Sequence, residues 1–196
     1  MCKIAICYKR PFTKKEFDKA WFLNSDGVGF SYVKNNKVHI YKGLMNKNKA
    51  WEKYQEVNPP IPHIIHFRKS STGQTTDYLT HPFLCTEKSE PFLEYHGLDS
   101  ALFHNGVITG WKDILLSYWL SIGIVEDGDW SDTRLVASIL SKFINDEKQI
   151  ERLITKIWPS ERFAIISTKG IKLIGQYSEV DDVYHSDMAY ASCEDY

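Results

Sequence analysis

The sequence has very little net charge. It carries 24 Lys and Arg against 25 Asp and Glu, a formal charge of −1. That balance leaves no basic stripe to follow a phosphate backbone, so neither nucleic acid nor an anionic membrane surface is an expected partner. No apolar run is long enough to span a bilayer. Lys3, Lys9, Arg10, Lys14 and Lys15 break up the first residues before a signal-peptide core could form. The only cysteines are Cys2, Cys7, Cys85 and Cys193, and their spacing fits neither a disulfide framework nor a zinc site. A reducing, cytoplasmic setting is the expectation. The polar stretch STGQTT has one glycine and no lysine, so it is no phosphate loop, and no ATP site or other cofactor is expected. Internal repeats, low-complexity segments and linkers are missing too.

What is present is an ordinary globular composition, 43% apolar and 25% charged. The length of 196 residues suits a single domain, 1–196, with a sizeable core. Six tryptophans and eleven tyrosines could build a packed core or a partner surface, and composition does not choose.

Hydrophobic periodicity predicts strands over KIAICY (3–8), GFSYVK (29–34), KVHIYKG (37–43) and HIIHF (63–67), with Asn35-Asn36 as a hairpin turn. Helices are predicted over KKEFDKAWFL (14–23), residues 46–56, WKDILLSYWLSIG (111–123), SDTRLVASILSKF (131–143) and EKQIERLITKIW (147–158). Ser131 or Asp132 is the natural N-cap of the fourth, and Pro159 closes the fifth. RKSSTGQTTDYLTHPFL (68–84) reads as a long loop, and ALFHNGVITG (101–110) as strand, turn, strand. RFAIIST and IKLIGQYS form a last hairpin around Lys169-Gly170, and the tail from Asp181 has no clear period. Strands come first, helices cluster in the middle and strands return. This order predicts an α+β fold of two sheets covered by helices rather than a parallel βαβ series.

The candidate chemistry begins at Cys2. Removal of Met1 would leave a thiol and a free α-amino group on one residue. An α-amino group has a pKa of roughly 7.7 to 8.0, so it can serve as base for its own side chain. The plain alternative is a small residue opening a strand. A thiol attacking an amide needs an oxyanion hole. Asn105 and Gly106 in HNG could line one, although Asn-Gly is also the commonest hairpin dipeptide. Arg68, after HIIHF, could hold a substrate carboxylate bidentately or simply face solvent. Asp132 could hold an ammonium or simply cap its helix. His63 and His66 are three apart on a strand and so point to opposite faces, which argues against a joint metal site. Trp111 and Trp119 are assigned to the buried face of their helix. The charges of Asp26, Glu126, Asp127, Asp129, Asp181 and Asp182 are assigned to solvated loops.

Cys2, NSDGVGF, HFRKSSTG, HPF, HNG and SDT occur in this order. That ordered set resembles the class II glutamine amidotransferases, the N-terminal-nucleophile (Ntn) hydrolase family with an αββα sandwich of two mostly antiparallel sheets between helical layers. The likeness spans residues 2 to about 140. It implies Cys2 as nucleophile, the Asn105 side chain and the Gly106 N–H as oxyanion donors, and Arg68 on the substrate α-carboxylate. It also implies Asp132 on the α-ammonium, with Ser71 at a position where the family often has a substrate-touching threonine. The implied activity is hydrolysis of the glutamine side-chain amide through a γ-glutamyl thioester, with ammonia passed to a separate synthase subunit. A stand-alone amidohydrolase acting on another γ-glutamyl or amide substrate is the second expectation, and a catalytically silent binding module the third. The sequence departs from the large synthases after Arg68, where Lys69, Ser70, Ser71 and Thr72 replace an aromatic, Ala, Thr and His.

Overall fold

The structure is a computed structural model that describes residues 2–70, 75–123, 125 and 128–187. Its larger sheet contains β1 (Lys3–Cys7), β2 (Val28–Lys34), β3 (Lys37–Leu44), β4 (His63–Phe67), β6 (Glu94–Gly97), β10 (Ser178–Val180) and β11 (Val183–His185). Their order across the sheet is β10-β11-β1-β4-β2-β3-β6, and every described pairing is antiparallel. The smaller sheet has the order β5-β7-β8-β9, from Phe83–Leu84, Ala101–Asn105, Arg162–Ser167 and Gly170–Ile174.

Side-chain alternation along the strands creates three apolar layers. Ala5 and Cys7 of β1 join Phe30, Ile65 and Phe67 against Phe17, Ala20, Ala50 and Tyr54 of α1 (Lys14–Leu23) and α2 (Lys47–Val57). Ile4 and Ile6, of the other parity, meet Ile64, Phe103, Ala164 and Ile166 between the two sheets. Leu102, Phe163 and Ile165 pack under Val136, Ala137 and Leu140 of α4 (Asp132–Ser141) and Ile150 and Ile154 of α5 (Glu147–Ile157). The architecture is an αββα sandwich.

Several expectations change. VITG is not a strand: the chain turns after β7 and enters α3 (Trp111–Ile122) behind Gly110, a left-handed residue at φ 72°. The loop 68–84 holds one turn of 3-10 helix at Asp77–Leu79 and the short β5. The strand expected over 171–178 divides at Gly175 (φ 98°) into β9 and β10, which lie in different sheets. Asp181 and Asp182 take the positive φ of a hairpin turn, so the tail that showed no period supplies β11 to the edge of β1. Only Leu115 of α3 is fully buried, while Leu116 and Leu120 are exposed. Trp111 and Trp119 are themselves half-buried, with Trp111 packed on the core beneath α4.

Candidate active site

The start of β1, the end of β4 and the end of β7 converge where the sandwich opens. Cys2, Arg68, Gly106 and Asp132 line one cavity of about 290 Å³ there. That volume is at the lower end of the range for small-molecule sites. Trp111, Trp130, His81 and His104 complete its walls.

Cys2 is half-buried. Its Sγ lies 3.4 Å from the Lys69 N–H and 3.5 Å from the Lys69 carbonyl, so the peptide after Arg68 fixes the thiol. Burial pushes the Cys2 thiol up, while the Lys69 N–H and the Arg68 charge pull it down and Asp132 raises it further. Burial prevails, and the resting group is a thiol that needs a base.

Arg68 is 7% exposed. Its backbone is strapped by NSDGVGF: Arg68 N–H donates to the Gly27 carbonyl at 2.8 Å, Asp26 N–H donates to the Arg68 carbonyl at 3.0 Å, and Ser70 N–H donates to Asp26 Oδ2 at 2.8 Å. The glycine pattern follows from close approach. Gly27 has φ 113°, and a Cβ on Gly29 would lie 1.9 Å from the His81 carbonyl oxygen. The Arg68 guanidinium is pulled down in pKa by burial, against the charge-favouring influence of Cys2, Asp26 and Asp132.

Asp132 begins α4, and Ser131 is the N-cap, accepting from Arg134 N–H at 3.2 Å. Asp132 Oδ1 accepts from Thr133 N–H at 2.7 Å, and Oδ2 accepts from Ile108 N–H at 3.1 Å. The side chain keeps 21% exposure toward the cavity.

Asn105 and Gly106 part company. Gly106 lines the cavity, whereas Asn105 is fully buried beside it and does not. Asn105 Nδ2 donates to Ser186 Oγ at 3.0 Å, the same oxygen that accepts from Ile4 N–H at 2.9 Å. Asn105 Oδ1 is buried with no hydrogen-bond partner. Neither residue has a positive φ, so HNG is not the hairpin turn that its dipeptide suggests. The Glu161 carboxylate sits against Gly106: a Cβ there would lie 1.2 Å from Glu161 Oε2 and would displace it. Ser71 lies outside the described residues.

Sequence reasoning missed the groups behind the cavity. His81 Nε2 and His104 Nδ1 each lie 3.0 Å from Thr133 Oγ1, and His104 Nε2 lies 3.2 Å from Glu161 Oε2. His66 stacks on His81 at 4.0 Å, and burial pushes His66 down to about 3. His63, on the opposite face of β4, bonds Tyr54 Oη at 2.7 Å in the helix layer. HPF and HNG were the only local signals for His81 and His104. Nothing local marked Glu161. Among the described residues no three His, Cys, Asp or Glu side chains form a metal-binding group, and no helix is long and apolar enough to cross a membrane.

No protein-family model and no curated protein matches the chain. Solved structures do. Glutamine phosphoribosylpyrophosphate (PRPP) amidotransferase from B. subtilis, complexed with ADP and GMP, is similar over 97% of this chain at TM-score 0.67 and 14% identity. A structure described as the allosteric regulatory enzyme of purine biosynthesis is similar over 97% at TM-score 0.63, also with 14% identity. The chain spans 42% of the length of each. At this identity the likeness shows the fold.

Proposed function

We propose that the chain is a glutamine amidotransferase domain of the Ntn type, hydrolysing the glutamine side-chain amide through Cys2. The observation that carries this reading is the shared cavity. A nucleophile, a carboxylate-binding arginine, an ammonium-binding aspartate and a glycine N–H surround one space large enough for an amino acid. Once Met1 is removed, the α-amine of Cys2 takes the thiol proton as sulfur adds to the amide carbon. The Gly106 N–H and the Asn105 amide hold the oxyanion. Asn105, buried outside the cavity lining, takes its share only if a half-turn of its amide brings Nδ2 toward the cavity. Ser186 O–H, already an acceptor for Ile4 N–H, then donates to Oδ1 and Nδ2 is released. The ammonium returns its proton to the departing nitrogen, ammonia leaves, and water cleaves the thioester to give glutamate.

Arg68 and Asp132 select substrates with a free α-amino acid end. Ammonia passes to a separate synthase subunit in this reading. The amidotransferase fold of the structural neighbours supports the general amidotransferase reading. The test is intact mass before and after incubation with 6-diazo-5-oxo-norleucine. The expected result is a mass lacking Met1 and a single adduct on Cys2, with glutamate and ammonia formed from glutamine. A chain that lacks Met1 yet takes up no label and releases no ammonia would overturn the proposal.

A further inference from the structure

At the cavity wall, two carboxylates, Asp132 in the lining and Glu161 outside it, hold two successive backbone amides of the turn after Gly106. Glu161 Oε2 accepts from Val107 N–H at 3.1 Å, and Asp132 Oδ2 accepts from Ile108 N–H at 3.1 Å. His104 lies between the carboxylates, with Nε2 3.2 Å from Glu161 Oε2 and Nδ1 3.9 Å from Asp132 Oδ2. Its ring is clamped on Phe163 in a stack at 4.5 Å. Thr133 Oγ1, 3.0 Å from both His81 Nε2 and His104 Nδ1, joins the same group.

The direction of these bonds follows from satisfaction. His81 Nδ1 is buried without a partner. A bare ring nitrogen left so costs less than a buried N–H, which places the proton on Nε2, donating to Thr133 Oγ1. Thr133 O–H then has two acceptors, His104 Nδ1 at 3.0 Å and Asp132 Oδ1 at 3.3 Å, and with Nδ1 as the acceptor His104 Nε2–H donates to Glu161. The group thus links Asp132 to the carboxylate beside Gly106. The hydrogen bond between His104 and Glu161 also holds that carboxyl below the usual range.

We propose that Glu161, acting with His104, is a positioning residue that sets the Gly106–Val107 turn as an oxyanion donor and ties it to Asp132. The inference rests on the glutaminase reading above. Gly106 has no side chain to restrain its torsions, and Glu161 supplies the restraint: its carboxylate fills the space a Cβ would take and holds the next N–H. Because Asp132 holds the following N–H, the group that receives the substrate ammonium also shapes the turn that receives the oxyanion. Glu161 itself does not line the cavity.

The experiment compares wild type, Glu161→Ala and Glu161→Gln, each lacking Met1. Steady-state glutaminase kinetics are read together with hydrogen exchange of the peptide covering residues 106–109. Glu161→Ala is expected to lower kcat at least tenfold with KM within threefold, and to speed exchange of that peptide. Glu161→Gln keeps an oxygen for Val107 N–H and is expected to recover most of kcat. Glu161→Met, similar in volume but with no oxygen for Val107 N–H, takes the place of the alanine variant if that one does not fold. Wild-type kcat, or unchanged exchange, in the variant without the oxygen would overturn the proposal. If wild-type protein has no glutaminase activity and takes no label at Cys2, the glutaminase reading fails, and exchange alone still decides whether Glu161 holds the turn.

Discussion

The two ends of β1 carry the same side chain in different surroundings. Cys7 is fully buried in the helix–sheet layer, and burial pushes it up to about 12. Cys2 has the parity of Ile4 and Ile6 on the inter-sheet side, where the sandwich opens, and its sulfur meets the Lys69 peptide and the cavity. Both thiols are raised by burial. Only Cys2 lines the cavity, and removal of Met1 would give only Cys2 an α-amine of its own as a base. A cysteine's role is thus set by which face and which end of the strand it occupies, more than by its resting acidity.

The largest effect expected from breaking this comparison comes from exchanging the thiols for methyl groups. Cys2→Ala should lower ammonia release from glutamine at least ~1000-fold, whereas Cys7→Ala should keep kcat within about twofold, since it touches no substrate. Gly106→Ala comes next. A Cβ there displaces the Glu161 carboxylate from the Val107 N–H it holds, and kcat should fall by up to about 100-fold, the cost of losing one oxyanion donor. Steady-state kinetics of folded protein would check this, and an unchanged kcat would remove Gly106 from the mechanism. Arg68→Lys should act on recognition instead. Losing a bidentate charged contact costs about 1.5–3 kcal/mol, so KM for glutamine should rise roughly tenfold or more while Cys2 labelling by an electrophile without a carboxylate stays unchanged.

The remaining contrasts are in stability. Cys7→Ser buries a hydroxyl among apolar neighbours and should cost about 1–3 kcal/mol in urea unfolding. Cys2→Ser, at a half-buried site, should cost under about 1 kcal/mol. A change of comparable size is expected with pH. His63 and His66 are held down to about 4 and about 3 by burial. Their unfolded forms take protons from about pH 6.5 downward while the folded forms do not. Stability is therefore full above that pH and lost as pH falls toward 4 and 3. Between pH 7 and 6 the two together should lower unfolding free energy by about 1 kcal/mol. Unfolding midpoints at the two values, compared with a His66→Phe variant in which the drop is smaller, would check this.

Much of the fold was legible because its signals are local. The alternation of β1 and β4 and the apolar spacing of α1, α4 and α5 each bury one face, and Asn35-Asn36 closes the hairpin between β2 and β3. The misread parts share a cause. VITG is apolar enough for a strand, yet Gly110 turns the chain into α3. The segment 178–185 is too short for a period, and it becomes a strand pair only because β1 offers an open edge. The site divides in the same way. Cys2, Arg68, Gly106 and Asp132 stood out as residue types in a recognisable order. Glu161 stands 55 positions beyond Gly106 and is invisible without the packing that brings them together.

By itself the sequence determined which residues alternate toward which layer, that two antiparallel sheets would be covered by helices, and which side chains had the chemistry for an amide-cleaving site. Those properties reside in residue type and near-neighbour spacing, which set local conformation and hydrophobic patterning. The tertiary structure alone decided that Cys2 opens onto a cavity and Cys7 does not, that Asn105 turns inward to Ser186, and that Gly106 is a glycine to seat Glu161 rather than to make a turn. Each of these depends on contacts between segments far apart in the chain, and such contacts exist only once both sheets have closed on a common core.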